Sequence, residues 1–497
     1  MFSPVDWLVI VLYFAAVAGI GFYFSRRNAD FKDFMFGGGN MPWLAVGISL
    51  IATSVSANTF LGYPAEGYAN DMRLLMLNFG GLVAIVIVGT VFIPRFRSSG
   101  IKSAYELLET KFSRPVRVMA ASLYSLHLLL RMGMLIYGPS LVLMRMTGAP
   151  YWACALSMAV FALIYTSMGG IKAVTTTDIL QFLIFLGGGL LVIGYCAHAV
   201  GGFGKAWGLA AEAGKTRWLD FSWDPSSARN FWTASLVYIV FEVAIRGCDQ
   251  QFVQRYLSTK DLRAANYSSV TSSLLGICVG VVFFTVGAFL FVFFQAAHVE
   301  ALPAGIKANE VLPHFIVNDL PMGVKGLLVA AILAADMGAL SSVLTALSNT
   351  TVVDFLKRDG GGNGGHSLKR ARLWVVLWGA LGTAASFLCA LGDETILGKA
   401  LFFTSLFTGP LLSMFLQAFF LPRTRPAAVI AGAVFGMLAL LPFSNIPILP
   451  PGTWKPWLSL AWPWNPLISL TGSLVAAQLL NAFMGRPRSA SANENAV

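Results

Sequence analysis

One arginine, Arg131, stands midway along Val118 to Met144, a stretch with no other Asp, Glu, Lys or Arg that is long enough to cross a bilayer. A guanidinium at that depth costs at least about 2.5–3.5 kcal/mol on insertion scales. Such a cost is tolerated where a partner charge, a wet cavity or an anionic substrate meets the cation. A planar guanidinium grips a carboxylate through two parallel hydrogen bonds, which a lysine ammonium cannot do. The structural alternative is a salt bridge, with Glu242 as the candidate. Glu242 and Arg246 interrupt another apolar segment, FEVAIRGCDQQ, and their i, i+4 spacing lets them satisfy each other on a helix. The competing expectation is that one of them faces a charged or zwitterionic solute.

Oxygen-bearing side chains gather in two further places. The segment WLAVGISLIATSVSANTFLGYPAEGY clusters Thr53, Ser54, Ser56, Asn58 and Thr59 ahead of Gly62 and Pro64. Farther along, Ser341, Ser342, Thr345, Ser348 and Asn349 fall within an arc of about 120° at 100° per residue, while Asp336 points nearly opposite. Such a stripe serves as interhelical glue or as a path for a hard cation, which needs several oxygen ligands. Asp336 is expected to pair with a neighbouring helix instead.

The elements that must position these groups are membrane helices. Of 497 residues, 57% are hydrophobic and 11% charged, with mean hydropathy +0.71. Apolar runs of about 20 residues, each adequate to span the hydrocarbon, recur along the chain, and thirteen are expected. The first lacks a basic leader and is followed by Arg26 and Arg27, so it reads as a retained span. With the N-terminus outside and the C-terminus cytoplasmic, interior loops carry most of the 34 Lys and Arg, including Arg95, Arg97, Lys102, Lys111, Arg114 and Arg117. The +11 net charge therefore records topology, and no nucleic-acid partner is expected. The five cysteines (Cys154, Cys196, Cys248, Cys278, Cys389) are odd in number, lack CxxC spacing and sit in apolar segments, so buried packing roles are expected.

No extramembrane stretch is long enough for a soluble domain. One transporter domain over 1–484 is expected, with exterior loops around 201–230 and 298–322, a flexible interior linker at 359–365 (DGGGNGG) and a disordered cytoplasmic tail at 485–497. The polar clusters in the second and seventh spans, with their Gly and Pro residues, predict discontinuous helices, which are tolerated where they line a cavity. They lie five spans apart, as two inverted five-span repeats would place them, roughly over 42–198 and 231–421.

These motifs resemble the solute:sodium symporter family over essentially all of the chain to about Leu480. SANTFLGYPAEGY is similar to its broken first core helix, GGIKAVTTTDILQ to the entry of its fifth, with the TD-x-x-Q pattern at Thr177, Asp178 and Gln181. DQQFVQRYLSTKD, Asp249 to Asp261, is similar to its signature after the sixth core helix, and MGALSSVLTALSNTTVVDF to the eighth. TFLG-x-PAE and TALSNTTVVDF most resemble the monocarboxylate, multivitamin and iodide carrier branch with its bacterial relatives. The resemblance implies an all-α LeuT-type fold, with ten core helices in two inverted repeats, one helix before and two after. It also implies cation-coupled symport of a small organic solute by alternating access, across the plasma membrane or a bacterial inner membrane.

Site residues follow by position. The shared sodium site would use the carbonyls of Ala52, Val55 and Ala335 plus two hydroxyls, but those two positions are Gly338 and Ala339, which have no side-chain oxygen. A second cation position would use Asp178, Ser341 and Ser342; Asp178 could equally be a helix N-terminal acid or a proton carrier. Arg131 stands where carriers of carboxylated solutes meet the carboxylate, and Ser54, Ser56, Asn58, Thr59 and Asn78 stand where the family lines its pocket. Sodium is the expected coupling ion and a proton the alternative. No organic cofactor and no obligatory protein partner are implied; the expected partners are the lipid bilayer and a carboxylate or zwitterion. A membrane-embedded solute sensor is the rival class. No HExxH, nucleophile elbow or Walker loop argues for an enzyme.

Overall fold

In hydrocarbon no water satisfies backbone N–H and C=O groups, so apolar segments of this length are driven to helices. A computed structural model of the protein describes residues 3–25, 31–296, 299, 302–303, 305–356, 364–389, 396–444, 453–458 and 460–484, and among these the regular secondary structure is helical apart from one isolated bridge, Met41 to Thr259. The expected linker at 359–365 falls mostly, and the tail wholly, outside the described residues; α11 below begins at Gly364. The principal helices are α1 (Pro4–Ser25), α2 (Trp43–Ser54), α3 (Ala57–Ala69), α4 (Arg73–Ser98), α5 (Arg114–Thr147), α6 (Tyr151–Val200) and α7 (Tyr238–Cys248). They continue as α8 (Gln250–Ser258), α9 (Leu262–Phe291), α10 (Val324–Thr350), α11 (Gly364–Leu388), α12 (Ile396–Phe420), α13 (Pro426–Leu440) and α14 (Trp464–Phe483).

Among the described residues ten helices are long and apolar enough to cross a membrane, and the bent pair α2/α3 makes an eleventh. The other two of the thirteen expected spans fall on shorter pieces. One is the first part of α6, Tyr151–Ile164; the other is the π-helical turn Trp232–Val237 that runs into α7. Helix α6 joins two spans at Gly170, whose φ of 62° suits a residue without a side chain. A Cβ there would also lie 2.7 Å from the Phe34 carbonyl.

Two helices are broken, as the sequence predicts, at corresponding places in the two halves. Between α2 and α3 the chain passes through Val55 in an extended conformation (φ −85°, ψ 146°) and the axis turns by 64°. Between α7 and α8 it passes through Asp249 (φ −78°, ψ 124°), whose carboxylate accepts from the Gln251 N–H at 2.7 Å and from the Tyr124 hydroxyl at 2.6 Å. That side chain satisfies a donor at the restarted helix end.

Helix α10 is the axle of the molecule. Of its most apolar window 94% is buried, against α6, α5, α1 and α11. Its start is fixed from outside the repeats: Asp6 on α1 accepts from the N–H groups of Gly323 (2.7 Å) and Gly326 (2.9 Å), an acid at a helix N-terminus. Helix α9 closes the opposite side of the break, packing on α2 and α3. Gly67 permits that approach, since a Cβ there would meet the Phe284 carbonyl at 2.6 Å. Cys278 on α9 is exposed, against the expectation that all five cysteines are buried.

The loop at 201–230 holds a short helix, Phe203–Glu212, and clasps the far ends of α3 and α4. Arg73 bridges Asp71 (2.8 Å) and Asp220 (2.6 Å), and Arg229 meets Glu66 at 2.5 Å. Hydrogen bonds from the Ser222 N–H and hydroxyl, with Arg73, hold the Asp220 carboxyl down at about 2, so this clasp stays charged at neutral pH.

Candidate functional site

A helix break exposes carbonyls at the end of one half and N–H groups at the start of the next, with partial charges of opposite sign. In this molecule each end meets an ionisable side chain, a guanidinium at the carbonyl end and a carboxyl group at the N–H end. Arg131 Nη2 donates to the Thr53 carbonyl, in the last turn of α2, at 3.0 Å. Asp336 Oδ1 accepts from the Ala57 N–H, at the first residue of α3, at 2.9 Å. Asp336 therefore pairs with a neighbouring helix, as expected, and its partner is the break itself. Arg131 remains half-buried, its guanidinium held to the break by this hydrogen bond. A salt bridge between Arg131 and Glu242 is not formed.

Glu242 instead accepts from Arg246 Nε at 2.5 Å and from the Tyr238 hydroxyl at 2.8 Å. Arg246 reaches Ser272 Oγ at 3.5 Å and lies over the Phe252 ring. Their side chains are 14% and 8% exposed. This is the self-contained i, i+4 pair, and it leaves Arg131 as the half-buried guanidinium beside the break.

The other pocket candidates line the break unevenly. Ser54 is exposed and hydrogen-bonds back to the Leu50 carbonyl at 3.3 Å; Ser56 is buried, and its N–H donates to Thr59 Oγ1 at 3.4 Å. The Asn58 side chain lies outside the described residues. Asn78 is half-buried and donates to the Leu75 carbonyl at 3.0 Å.

The two expected cation positions are contiguous. Ala52, Val55, Ala335 and Gly338 line one narrow cavity, together with Gln181 and the rings of Phe182 and Phe185. Carbonyls at the end of α2 lack helical partners, and a peptide oxygen within a helix keeps a second lone pair, so oxygen donors from α2 and α10 can face the same space. Next to it, Asp178 Oδ2 accepts from Ser49 Oγ (2.5 Å) and Arg255 Nη2 (3.1 Å). Arg255 also donates to Ser49 Oγ at 2.7 Å, Ser342 Oγ at 2.6 Å and the Gln251 carbonyl at 3.2 Å. Ser342 lies 3.2 Å from Thr53 Oγ1, while both Ser342 and Ser341 bond back to the Gly338 carbonyl at 2.8 and 3.0 Å.

Asp178 is thus half of a buried ion pair, where the sequence suggests a carboxylate free to hold a cation. Arg255, 2% exposed, is the residue that sequence reasoning misses, because the polar segment that carries it reads as a loop following an apolar span. Its signal was its place in the DQQFVQRYLSTKD segment. One carboxylate oxygen, Asp178 Oδ1, has no hydrogen-bond partner although it is buried, and the same is true of Gln181 Oε1. Chemically, the region offers a cluster of oxygen donors for one hard cation beside a helix break, with a half-buried arginine on the break's carbonyl side.

Comparison with known proteins agrees with this anatomy. A family model described as the sodium:solute symporter family matches residues 34–439. The sodium/sialic acid symporter SiaT of Proteus mirabilis (strain HI4320) is 30% identical over 450 residues, covering 88% of this chain and 89% of that one. The human sodium/iodide cotransporter is 30% identical over 460 residues, covering 88% of this chain and 69% of that one. The substrate-bound outward-open structure of a Na+-coupled sialic acid symporter matches with a TM-score of 0.86 at 26% identity, over 98% of this chain and 99% of that one. A nucleobase-cation-symport-1 family transporter in a closed conformation, at 11% identity and TM-score 0.58 over 90% of this chain and 92% of that one, supports the fold alone. An all-helical LeuT-type core with two broken helices is the architecture of a secondary transporter and not of an enzyme, and the chain belongs to the sodium:solute symporter family, whose members couple solute movement to sodium.

Proposed function

We propose that this protein takes up a small carboxylate-bearing solute together with sodium by alternating access, and that Arg131 binds the carboxylate. The observation that carries the reading is the Arg131 guanidinium, half-buried beside the α2/α3 break with one nitrogen on the Thr53 carbonyl. That arrangement holds the fork in place while leaving donors for a second, anionic partner. Relatives named for sialic acid and for monocarboxylates move carboxylates, whereas one named for iodide moves an inorganic anion, so the carboxylate rests on Arg131 and not on family membership. In this reading the chain is one domain over 1–484 in the plasma membrane, or the inner membrane of a bacterium. Its N-terminus lies outside and its C-terminus inside, and it works without an obligatory protein partner.

Moving one net charge inward gains about 2.3 kcal/mol per 100 mV, or about 50-fold accumulation at about 1.4 kcal/mol per tenfold. A monoanion carried with one cation is electroneutral, so use of the potential requires a second cation. A proton is the second reading for the coupling ion, favoured by the absence of hydroxyls at Gly338 and Ala339 and by the buried carboxylate of Asp178. Uptake into proteoliposomes with the two gradients imposed separately decides between them. A sodium gradient at fixed pH is expected to drive an overshoot; accumulation driven by pH alone in sodium-free buffer would overturn sodium coupling. Asp178→Asn is expected to abolish cation-driven accumulation in a protein that still folds, because Arg255 keeps Ser49, Ser342 and the Gln251 carbonyl. Unchanged cation dependence in that variant would remove Asp178 from the coupling site.

A further inference from the structure

We propose that His127 is a second solute-binding residue, reading a hydroxyl group on the carboxylate that Arg131 holds, so that the solute is a hydroxy acid. The inference rests on the carboxylate reading above. Along α5, Tyr124, His127 and Arg131 fall within an arc of about 60° at 100° per residue. Two of the three are held. The Tyr124 hydroxyl donates to Asp249 at the α7/α8 break (2.6 Å), and Arg131 donates to the Thr53 carbonyl at the α2/α3 break (3.0 Å). His127 stands between them, 2% exposed, with neither ring nitrogen in a hydrogen bond. A neutral imidazole is one N–H donor and one bare acceptor, and a buried polar group left in that state destabilises the fold unless a partner meets it.

Helix α12 supplies the facing wall and a second unsatisfied group. The His127 ring lies 6.2 Å from that of Phe407, and the next residue, Thr408, is buried with no hydrogen bond at Oγ1. Its depth follows from Tyr105, whose ring packs on Tyr124 (5.3 Å) and on Phe415 (6.3 Å) and so puts those two residues at one level. Seven residues on along α5 is Arg131, and seven back along α12 is Thr408. Each lies two turns away, about 10 Å, on the same face of its helix. The His127–Phe407 contact requires the two helices to run antiparallel, so Thr408 comes to the level of Arg131. Residues four apart on a helix are about 5–6 Å apart at Cβ, so Arg131 and His127 can grip one small molecule at neighbouring groups. A hydroxyl both donates and accepts, which suits an imidazole and a threonine, whereas a keto oxygen only accepts. The chemistry therefore selects a carboxylate with a hydroxyl within a few bonds of it.

The test is solute binding to the purified full-length transporter in sodium, by calorimetric titration and by thermal stabilisation, with matched pairs of acids: lactate and propionate, 3-hydroxybutyrate and butyrate, gluconate and hexanoate. Wild type is expected to bind the hydroxylated member of at least one pair at least tenfold more tightly than the plain one. His127→Phe keeps a flat ring against Phe407 and removes both nitrogens. It should erase that preference, weakening the hydroxylated acid at least tenfold and changing the plain acid less than threefold. Without solute it should melt no lower than wild type, because no satisfied polar group has been removed. Thr408→Val should weaken the hydroxylated acid alone, by threefold or more. Should His127→Phe not fold, His127→Gln, which retains a donor and an acceptor, should hold the preference within about threefold, and His127→Leu should lose it. A preference that survives in His127→Phe overturns the proposal. So does equal weakening of both members, which would make the residue a support for Arg131, and so does a wild-type protein that binds both members of every pair alike. A wild-type protein that binds no acid of the panel defeats the carboxylate reading itself, a failure distinct from the others.

Discussion

Arg255→Met is expected to destabilise the folded protein by about 3–5 kcal/mol, the cost of leaving a buried charge without its partner. Asp178 is fully buried, and without Arg255 it would keep only the Ser49 hydroxyl. The loss extends beyond one pair, because the guanidinium on α8 joins Ser49 on α2, Asp178 on α6 and Ser342 on α10. Those are the broken helix of the first half, the fifth core helix, and the axle. The check is a thermal-unfolding series in one detergent with a double-mutant cycle. Arg255→Met combined with Asp178→Asn should recover much of the loss, since it removes the uncompensated charge, while Asp178→Asn alone should cost less than Arg255→Met. If Arg255→Met unfolds like wild type, or the double variant is as unstable as the sum of the singles, the two residues do not form the pair described.

The same residue shows where the sequence stops being informative. Arg131 was legible because an isolated charge amid apolar residues marks depth without any knowledge of neighbours. The two helix breaks were legible because serine, asparagine, glycine and proline cluster at α2/α3, and charge and glycine at α7/α8, against an otherwise apolar background. Arg255 was not legible, because DQQFVQRY reads as a polar loop to any hydropathy window. Its burial depends on Ser49, Ser342 and Asp178, which lie 206, 87 and 77 residues away in sequence. Pairing at such separations is a property of the fold. Asp336 was legible as a residue facing away from the hydroxyl stripe, but not as the acceptor of the Ala57 N–H, since that requires α10 to cross α3. For Glu242 and Arg246 the i, i+4 spacing offered a local pair, because that geometry is set by the helix itself, but the choice between this pair and a solute-facing role was not legible.

Arg131→Lys is expected to weaken binding of carboxylate solutes at least tenfold, and Arg131→Gln to abolish their accumulation, in proteins that still fold. The lysine retains one positive charge and can still reach toward the Thr53 carbonyl, but it cannot hold that oxygen and a carboxylate through a planar fork. Hydrogen bonds to charged groups contribute about 1.5–3 kcal/mol each, so losing one corresponds to at least the tenfold change that about 1.4 kcal/mol represents. The glutamine loses the charge as well, and with it the long-range attraction that favours an anion at this depth. Asp336 serves as the internal control: if Arg131 acted only to hold the break, Asp336→Asn, which disturbs the break's other end while leaving the guanidinium, should reduce carboxylate binding to a similar extent. The measurement is thermal shift and uptake against sialic acid, pyruvate, biotin and iodide with sodium present. Selective loss of the three carboxylates in Arg131→Lys, with stability unchanged, is the expected pattern. Equal loss of iodide would show that the residue reads negative charge and not the carboxylate group. Normal carboxylate transport in both variants would return Arg131 to a purely structural role on the Thr53 carbonyl.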